Sequence, residues 1–189
     1  MRHAPTTATR DSAFPADEPL DKGGAAAAAT LASRLPSRCD AVSSPARRCR
    51  ETAGAAGLTP RLEPRIAECD FGTWAGRSLT DVHAEDPAAA ERWMTDPDAD
   101  PHGGESLAVF SERVVDWLED PDAHADGFTV VVTHAGVVKA SLVHALGAPP
   151  PAFWRIDVAP LAITELHAHG GRWTVTRVNC RPSGGGSVK

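Results

Sequence analysis

The sequence predicts an α/β domain built on a parallel sheet, and three observations carry that expectation. Residues 128–133 form a short apolar run that stops at His134 and gives way to Ala135-Gly136, the pattern of a buried parallel strand ending in a turn. A second brief strand, 40–44, runs straight into a helix start at Pro45. Between and beyond these, apolar runs alternate with helical stretches. With 189 residues, 42% of them hydrophobic, the chain suffices for one sizeable core but not for two.

Taken in order, residues 23–34 favour a helix through their alanine content. Pro45 suits the first position of the next helix, 46–57, because its missing N–H would be unpaired there anyway. A polar middle region rich in Asp, Pro and Ala follows, with helical pieces at 78–85, 87–94 and 105–119, and reads as a cap-like insertion over about 77–125. After the strand 128–133 come a helix at 137–146 and two strands, 161–167 and 172–178, joined at His169-Gly170-Gly171 as a hairpin. One domain over 1–180 and a flexible tail over 181–189 complete the expectation.

The net charge of −6 argues against a broad nucleic-acid footprint, and no block of like charge suggests a membrane-binding patch. Four cysteines (39, 49, 69 and 180) lack metal-site spacing, and no apolar stretch reaches membrane-spanning length or reads as a signal peptide. Reduced thiols in a cytoplasm are the simplest reading. His167 and His169 alternate on one strand face, but a third ligand is not evident, so no metal and no cofactor are expected. His83, His102, His124 and His144 are expected at surfaces or helix ends, with His102 beside the Gly103-Gly104 turn.

Candidate chemistry gathers at three places. Arg2-His3 stands at the amino terminus, answered far downstream by His134 at a strand end. Arg48 enters at the start of a helix, where backbone N–H groups and a guanidinium fork suit a phosphate; Arg47, Arg48 and Arg50 equally suit a solvated face. Glu68 opens a stretch in which Phe71, Gly72, Trp74 and Gly76 alternate with acids. Apolar rings beside a carboxyl favour its protonated form, as a general acid requires, although the rings equally suit a plug for the core.

These pieces, Arg2-His3-Ala4-Pro5-Thr6, Ser43-Ser44-Pro45 with Arg48 and Thr52-Ala53, Glu68 to Gly76, His102-Gly103-Gly104-Glu105-Ser106, and Thr133-His134-Ala135-Gly136, resemble in this order the histidine phosphatase superfamily. The small phosphatase branch that includes α-ribazole phosphatases looks closest. The resemblance implies a three-layer α/β/α fold, mostly parallel sheet with helices on both faces, of the phosphoglycerate mutase type. It implies a phosphatase acting on a small phosphorylated metabolite, with His3 as nucleophile, Arg2, Arg48 and His134 around the phosphoryl oxygens, and Glu68 as acid and base. Thr6, Ser44 and the N–H of Ala135 are expected as further donors, and Trp93 to reach substrate from the cap. Glu105 has two readings, orienting the pocket arginines or favouring a helix dipole from its first turn. Phosphoglycerate mutase-type transfer and non-catalytic phosphate binding stay open as alternatives. The family's nucleophile follows a central apolar strand, whereas only Met1 and Arg2 precede His3, so a truncated first strand is expected.

Overall fold

The computed structural model describes residues 1–124 and 127–181; of the tail expected over 181–189, all but Arg181 lies outside the described residues. Helices α1 (Thr7–Arg10) and α2 (Lys22–Ala29) precede strand β1 (Asp40–Ser43) and helix α3 (Arg47–Ala55). The short strand β2 (Arg61–Leu62), helices α4 (Leu79–Glu85), α5 (Pro87–Thr95) and α6 (Leu107–Leu118), and strand β3 (Thr129–Val132) follow. Helix α7 (Ala135–Ala145) and the hairpin β4 (Ile163–His169) and β5 (Arg172–Cys180) complete the elements of the described residues.

β1 is central in a parallel sheet of order β2-β1-β3, with Ser43 opposite both Leu62 and Val132. Alternate side chains leave this sheet on opposite faces. Val42 joins Phe110 and Val114 of α6 and Val137 and Ala140 of α7 on one face, whereas Val132 joins Cys49 and Ala53 of α3 and Leu31 after α2 on the other. The result is a helix layer on each side. The antiparallel β4-β5 hairpin turns at Gly170 and Gly171, whose φ values of 56° and 72° form the left-handed turn that favours glycine.

Met1–His3 lies between these two sheets. Thr133 N donates to Met1 O (2.9 Å) and His3 N to Thr133 O (2.8 Å), while on the other side Arg2 N donates to Ala162 O (3.2 Å) and Leu161 N to Arg2 O (3.1 Å). The tripeptide thus forms the last rungs of a central strand, with Arg2 bridging Thr133 in parallel. Three residues suffice to fix His3 at the carboxyl end of β3.

Several boundaries depart from expectation, helix α2 ending at Ala29 and strand β4 starting at Ile163 among them. Pro45 precedes the helix cap Ala46 and stands outside the first turn. α7 starts at Ala135, two residues early, because a carboxylate takes up the N–H of Gly136. The middle region is only partly cap-like. α4 and α5 enclose a small apolar cluster of Phe14, Trp74, Val82 and Ala90, but α6 buries Leu107, Phe110, Val114, Trp117 and Leu118 in the main core. That stripe recurs every three to four residues, and the polar residues on its outer face obscured it.

Candidate active site

His3 and His134 meet at the carboxyl ends of the parallel strands, with ring centroids 5.3 Å apart and planes at 66°. Both are buried. The distance follows from the fold: His3 ends the Met1–His3 rung, His134 caps α7 directly after β3, and the two chains are hydrogen-bonded neighbours. Ala4 N donates to Thr52 Oγ1 (2.9 Å), which donates in turn to Arg48 O (2.7 Å), so α3 holds the backbone just after His3. Thr52 thereby positions the site, a role that no signal around Thr52-Ala53 announced.

The ring of His3 has its two nitrogens assigned by one contact. Nδ1 lies 2.8 Å from Ala4 O, which accepts only from a protonated Nδ1. The lone pair is therefore on Nε2. Burial, then Arg48, lowers the His3 pKa to about 3, and the ring is neutral. His134 is likewise pushed well below its ordinary value by burial and Arg48. Its Nδ1 lies 3.1 Å from Arg48 Nη2 and accepts, and its Nε2 donates to Ser44 Oγ at 2.8 Å. Ser44, expected as a substrate donor, here fixes His134.

Arg48 is on the first turn of α3 and almost fully buried. Nη1 donates to Ala16 O (2.7 Å) and faces the Glu18 carboxylate at 3.8 Å. Arg2 donates through Nη1 to Val158 O (2.5 Å), and burial lowers its pKa. The Nε donors of both arginines are buried without a hydrogen-bond partner. Unpaired buried donors are costly. Two of them on cations beside a neutral imidazole suit an anion.

Glu68 is half-buried, and burial raises its pKa despite the N–H groups of Cys69 (3.2 Å) and Gly136 (3.3 Å) and the nearby Arg48 and Arg2. The carboxyl rests on the first turn of α7, where a side chain on residue 136 would collide with it. Gly136 is thus required by contact with Glu68. Its loop is held by Arg113, which donates to Arg65 O (2.8 Å), Ala67 O (3.2 Å) and Glu68 O (3.4 Å). Glu105 in turn binds Arg113 at 2.8 and 2.6 Å and accepts from Asp70 N at 3.0 Å. Both readings of Glu105 are corrected: it pairs with Arg113 of α6, and it precedes the Ser106 cap rather than entering the first turn. Spacing from 105 to 113, two turns of helix, was the available signal.

Thr6, expected among the phosphate donors, is engaged elsewhere. Its oxygen caps α1 by accepting from Thr9 N (3.2 Å), and its proton goes to Glu18 Oε1 (3.0 Å). Ala135 opens α7, so its N–H is among the donors that a helix leaves without an internal partner. Trp93 and Trp154 line a cleft of about 290 Å³ that also reaches Glu68. Trp93 was expected to reach substrate from the cap; Trp154 lines the same cleft without having been singled out in the sequence. His102, expected near a surface, is fully buried beside Phe71, Trp74 and Trp93, with Nδ1 accepting from Gly104 N at 3.0 Å. Among the described residues no group of three side chains is placed to hold a metal, and no helix is long and apolar enough to cross a membrane.

A parallel sheet whose strand ends bring two neutral imidazoles, two arginines and a protonatable carboxyl together defines a phosphoryl-transfer class of site. The family model of the histidine phosphatase superfamily (branch 1) matches residues 1–181, and the chain belongs to that family. It is 30% identical over 131 residues to phosphoserine phosphatase 1 of Hydrogenobacter thermophilus, covering 68% of this chain and 62% of that one. It is 34% identical over 136 residues to glucosyl-3-phosphoglycerate phosphatase of Mycolicibacterium vanbaalenii, covering 66% and 60%. A bifunctional protein of Mycobacterium tuberculosis matches at 34% over 136 residues, 68% of this chain but 37% of its own length. The chain thus spans between about a third and two thirds of these relatives. Among solved structures, an Escherichia coli protein described as an α-ribazole-5′-P phosphatase superposes with a TM-score of 0.86 at 25% identity, over 98% of this chain and 97% of that one. The mycobacterial glucosyl-3-phosphoglycerate phosphatase gives 0.76 at 27%, over 94% and 96%.

Proposed function

We propose that the chain is a phosphomonoesterase that hydrolyses a small phosphorylated metabolite, α-ribazole phosphate or a sugar phosphate among them, through a phosphohistidine on His3. The observation that carries this reading is the single assignable role of each His3 nitrogen: Nδ1–H is held by Ala4 O, leaving a neutral Nε2 to attack. In the first step Nε2 bonds to phosphorus and the ester P–O bond breaks. Protonated Glu68 gives its proton to the departing alkoxide oxygen. In the second, Glu68 takes a proton from water as the water oxygen attacks phosphorus and the P–N bond breaks. Inorganic phosphate leaves with the imidazole neutral and Glu68 protonated again.

Arg2 and Arg48 meet the charge on the phosphoryl oxygens, and His134 keeps Arg48 aimed. These guanidinium charges do the work for which other phosphatases recruit a metal. A p-nitrophenyl phosphate assay of the chain and of His3→Ala tests the reading: turnover in the first and loss of at least about a thousandfold in the second is expected. Equal turnover in the two refutes it.

A further inference from the structure

Lys139 stands on the side of α7 that meets Glu68. It follows Gly136 by three residues, so the two positions are neighbours on the helix surface, and Gly136 N donates to Glu68 Oε2 at 3.3 Å. The Lys139 ammonium lies 5.2 Å from the centre of the Phe153 ring, and that ring is 6.4 Å from Phe110, which adjoins Gly136. Both rings are buried, so the ammonium rests over a fixed surface. Lys139 is half-buried yet makes no hydrogen bond or ion pair with a described residue. Its charge acts at longer range instead. Burial lowers its pKa, Glu68 and then Asp157 raise it, and Arg2 lowers it as a like charge.

Glu68 faces Arg48 of α3 and Arg2 of the amino-terminal rung, together with the N–H groups of Cys69 and Gly136. The thiols of Cys49 and Cys69 near it are pushed up by burial and stay neutral. In the free site the two arginines are the stronger cations. A bound phosphoryl dianion offsets their charge, and Lys139 is then the cation still acting on the carboxyl. This matters when Glu68 gives its proton to the departing oxygen, because a negative charge then appears beside a phosphoryl group that is itself negative. Resting on the reading of Glu68 as the acid, we infer that Lys139 is an electrostatic positioning residue for that proton: its ammonium, held over Phe153, stabilises the Glu68 carboxylate as it forms and keeps the acid strong enough to protonate an alkoxide. Lys139 transfers no proton of its own.

Lys139→Met removes the charge and keeps an apolar stem against Phe153, Lys139→Gln is equally neutral, and Lys139→Arg restores the charge over the same ring. Release of the alcohol is followed from about pH 5 to 9 in single turnovers with enzyme in saturating excess, on an alkyl phosphate and on p-nitrophenyl phosphate. Without the charge Glu68 holds its proton to higher pH and is a weaker acid. The alkaline limb of the alkyl profile should therefore move up by about half to one pH unit in both neutral variants, and its plateau fall about two- to threefold. Lys139→Arg should return both to their original values. The aryl ester, whose leaving group needs no proton, should keep its profile to within about twofold. An unmoved alkaline limb in the neutral variants, an equal fall on both esters, or weaker saturation with the limb in place would overturn the inference, the last by making Lys139 a grip on substrate. Any of these with p-nitrophenyl phosphate still turned over defeats this inference alone. If the unaltered chain turns over neither ester, the phosphomonoesterase reading falls and this inference falls with it.

Discussion

Replacing Gly136 by alanine separates Glu68, the proposed acid, from the rest of the site. In an ordinary helix the change stabilises by about 1 kcal/mol. At this position the new methyl runs into Oε1 of Glu68 and lies 3.1 Å from Cζ of Phe110. Phe110 is fully buried and cannot retreat, so the carboxyl must. Overpacking of this kind costs about 1–3 kcal/mol, which leaves a net loss of roughly 0–2 kcal/mol after the helical gain. Folding survives that. Catalysis suffers more, because a displacement of about 1 Å at a reacting group costs on the order of a hundredfold. The assay compares an alkyl phosphate, whose alkoxide needs a proton, with p-nitrophenyl phosphate, whose leaving group does not. A loss of about a hundredfold on the alkyl ester and under about tenfold on the aryl ester is expected. Unchanged alkyl turnover, or an equal loss on both esters, refutes the placement of Glu68 as the acid.

Glu105→Gln removes the charge that holds Arg113 and loosens the loop carrying Glu68. Alkyl phosphate turnover should fall about tenfold with a smaller change for the aryl ester, a split that simple destabilisation would not produce. Glu18→Gln removes a carboxylate facing Arg48 at 3.8 Å while leaving an acceptor for Thr6, so inorganic phosphate should inhibit at several-fold lower concentration. The buried rings also set a pH dependence of stability. His3, His102 and His134 have pKa values lowered from 6.5, and unfolded they regain it, so between about pH 5 and 6.5 the unfolded chain binds protons that the native chain does not. Glu68, raised above 4.5, acts in the opposite sense. Each ring that stays neutral in the native chain while its unfolded counterpart takes up a proton lowers stability by at most about 1.4 kcal/mol per pH unit of acidification. Urea midpoints at pH 5.5 and 6.5 measure it, and a midpoint that rises on acidification contradicts the neutral-ring assignment. Because the proposed mechanism draws its cationic charge from Arg2 and Arg48, dialysis against EDTA should leave turnover unchanged; loss restored by a divalent ion would count against this mechanism.

Much of the proposed catalytic group could be picked out in the sequence because its members sit at element boundaries. His134 follows an apolar strand, Arg48 opens a helix, and Arg2-His3 precedes a proline-marked turn. Such boundaries face one end of a parallel sheet, so separate motifs imply proximity. What stayed hidden depends on contacts across the fold. Arg113 is one charge among several on α6 until its three carbonyl partners are known, and Thr52 is an ordinary helical threonine until Ala4 is found against it. Gly136 reads as part of a turn, whereas its function is the room it leaves for Glu68. Trp154 follows three prolines in a short 3-10 helix, where spacing does not show which way a ring points. The core role of α6 was obscured for a different reason: composition averaged over a helix conceals a one-sided stripe.

The most direct test is to trap the intermediate. Enzyme mixed with a 32P-labelled alkyl phosphate and quenched in alkali within the first turnover should carry an acid-labile, alkali-stable label, and peptide mass spectrometry should place the added phosphoryl group on His3. Label on any other side chain, or turnover that proceeds in single-turnover experiments with no labelled protein, contradicts the account.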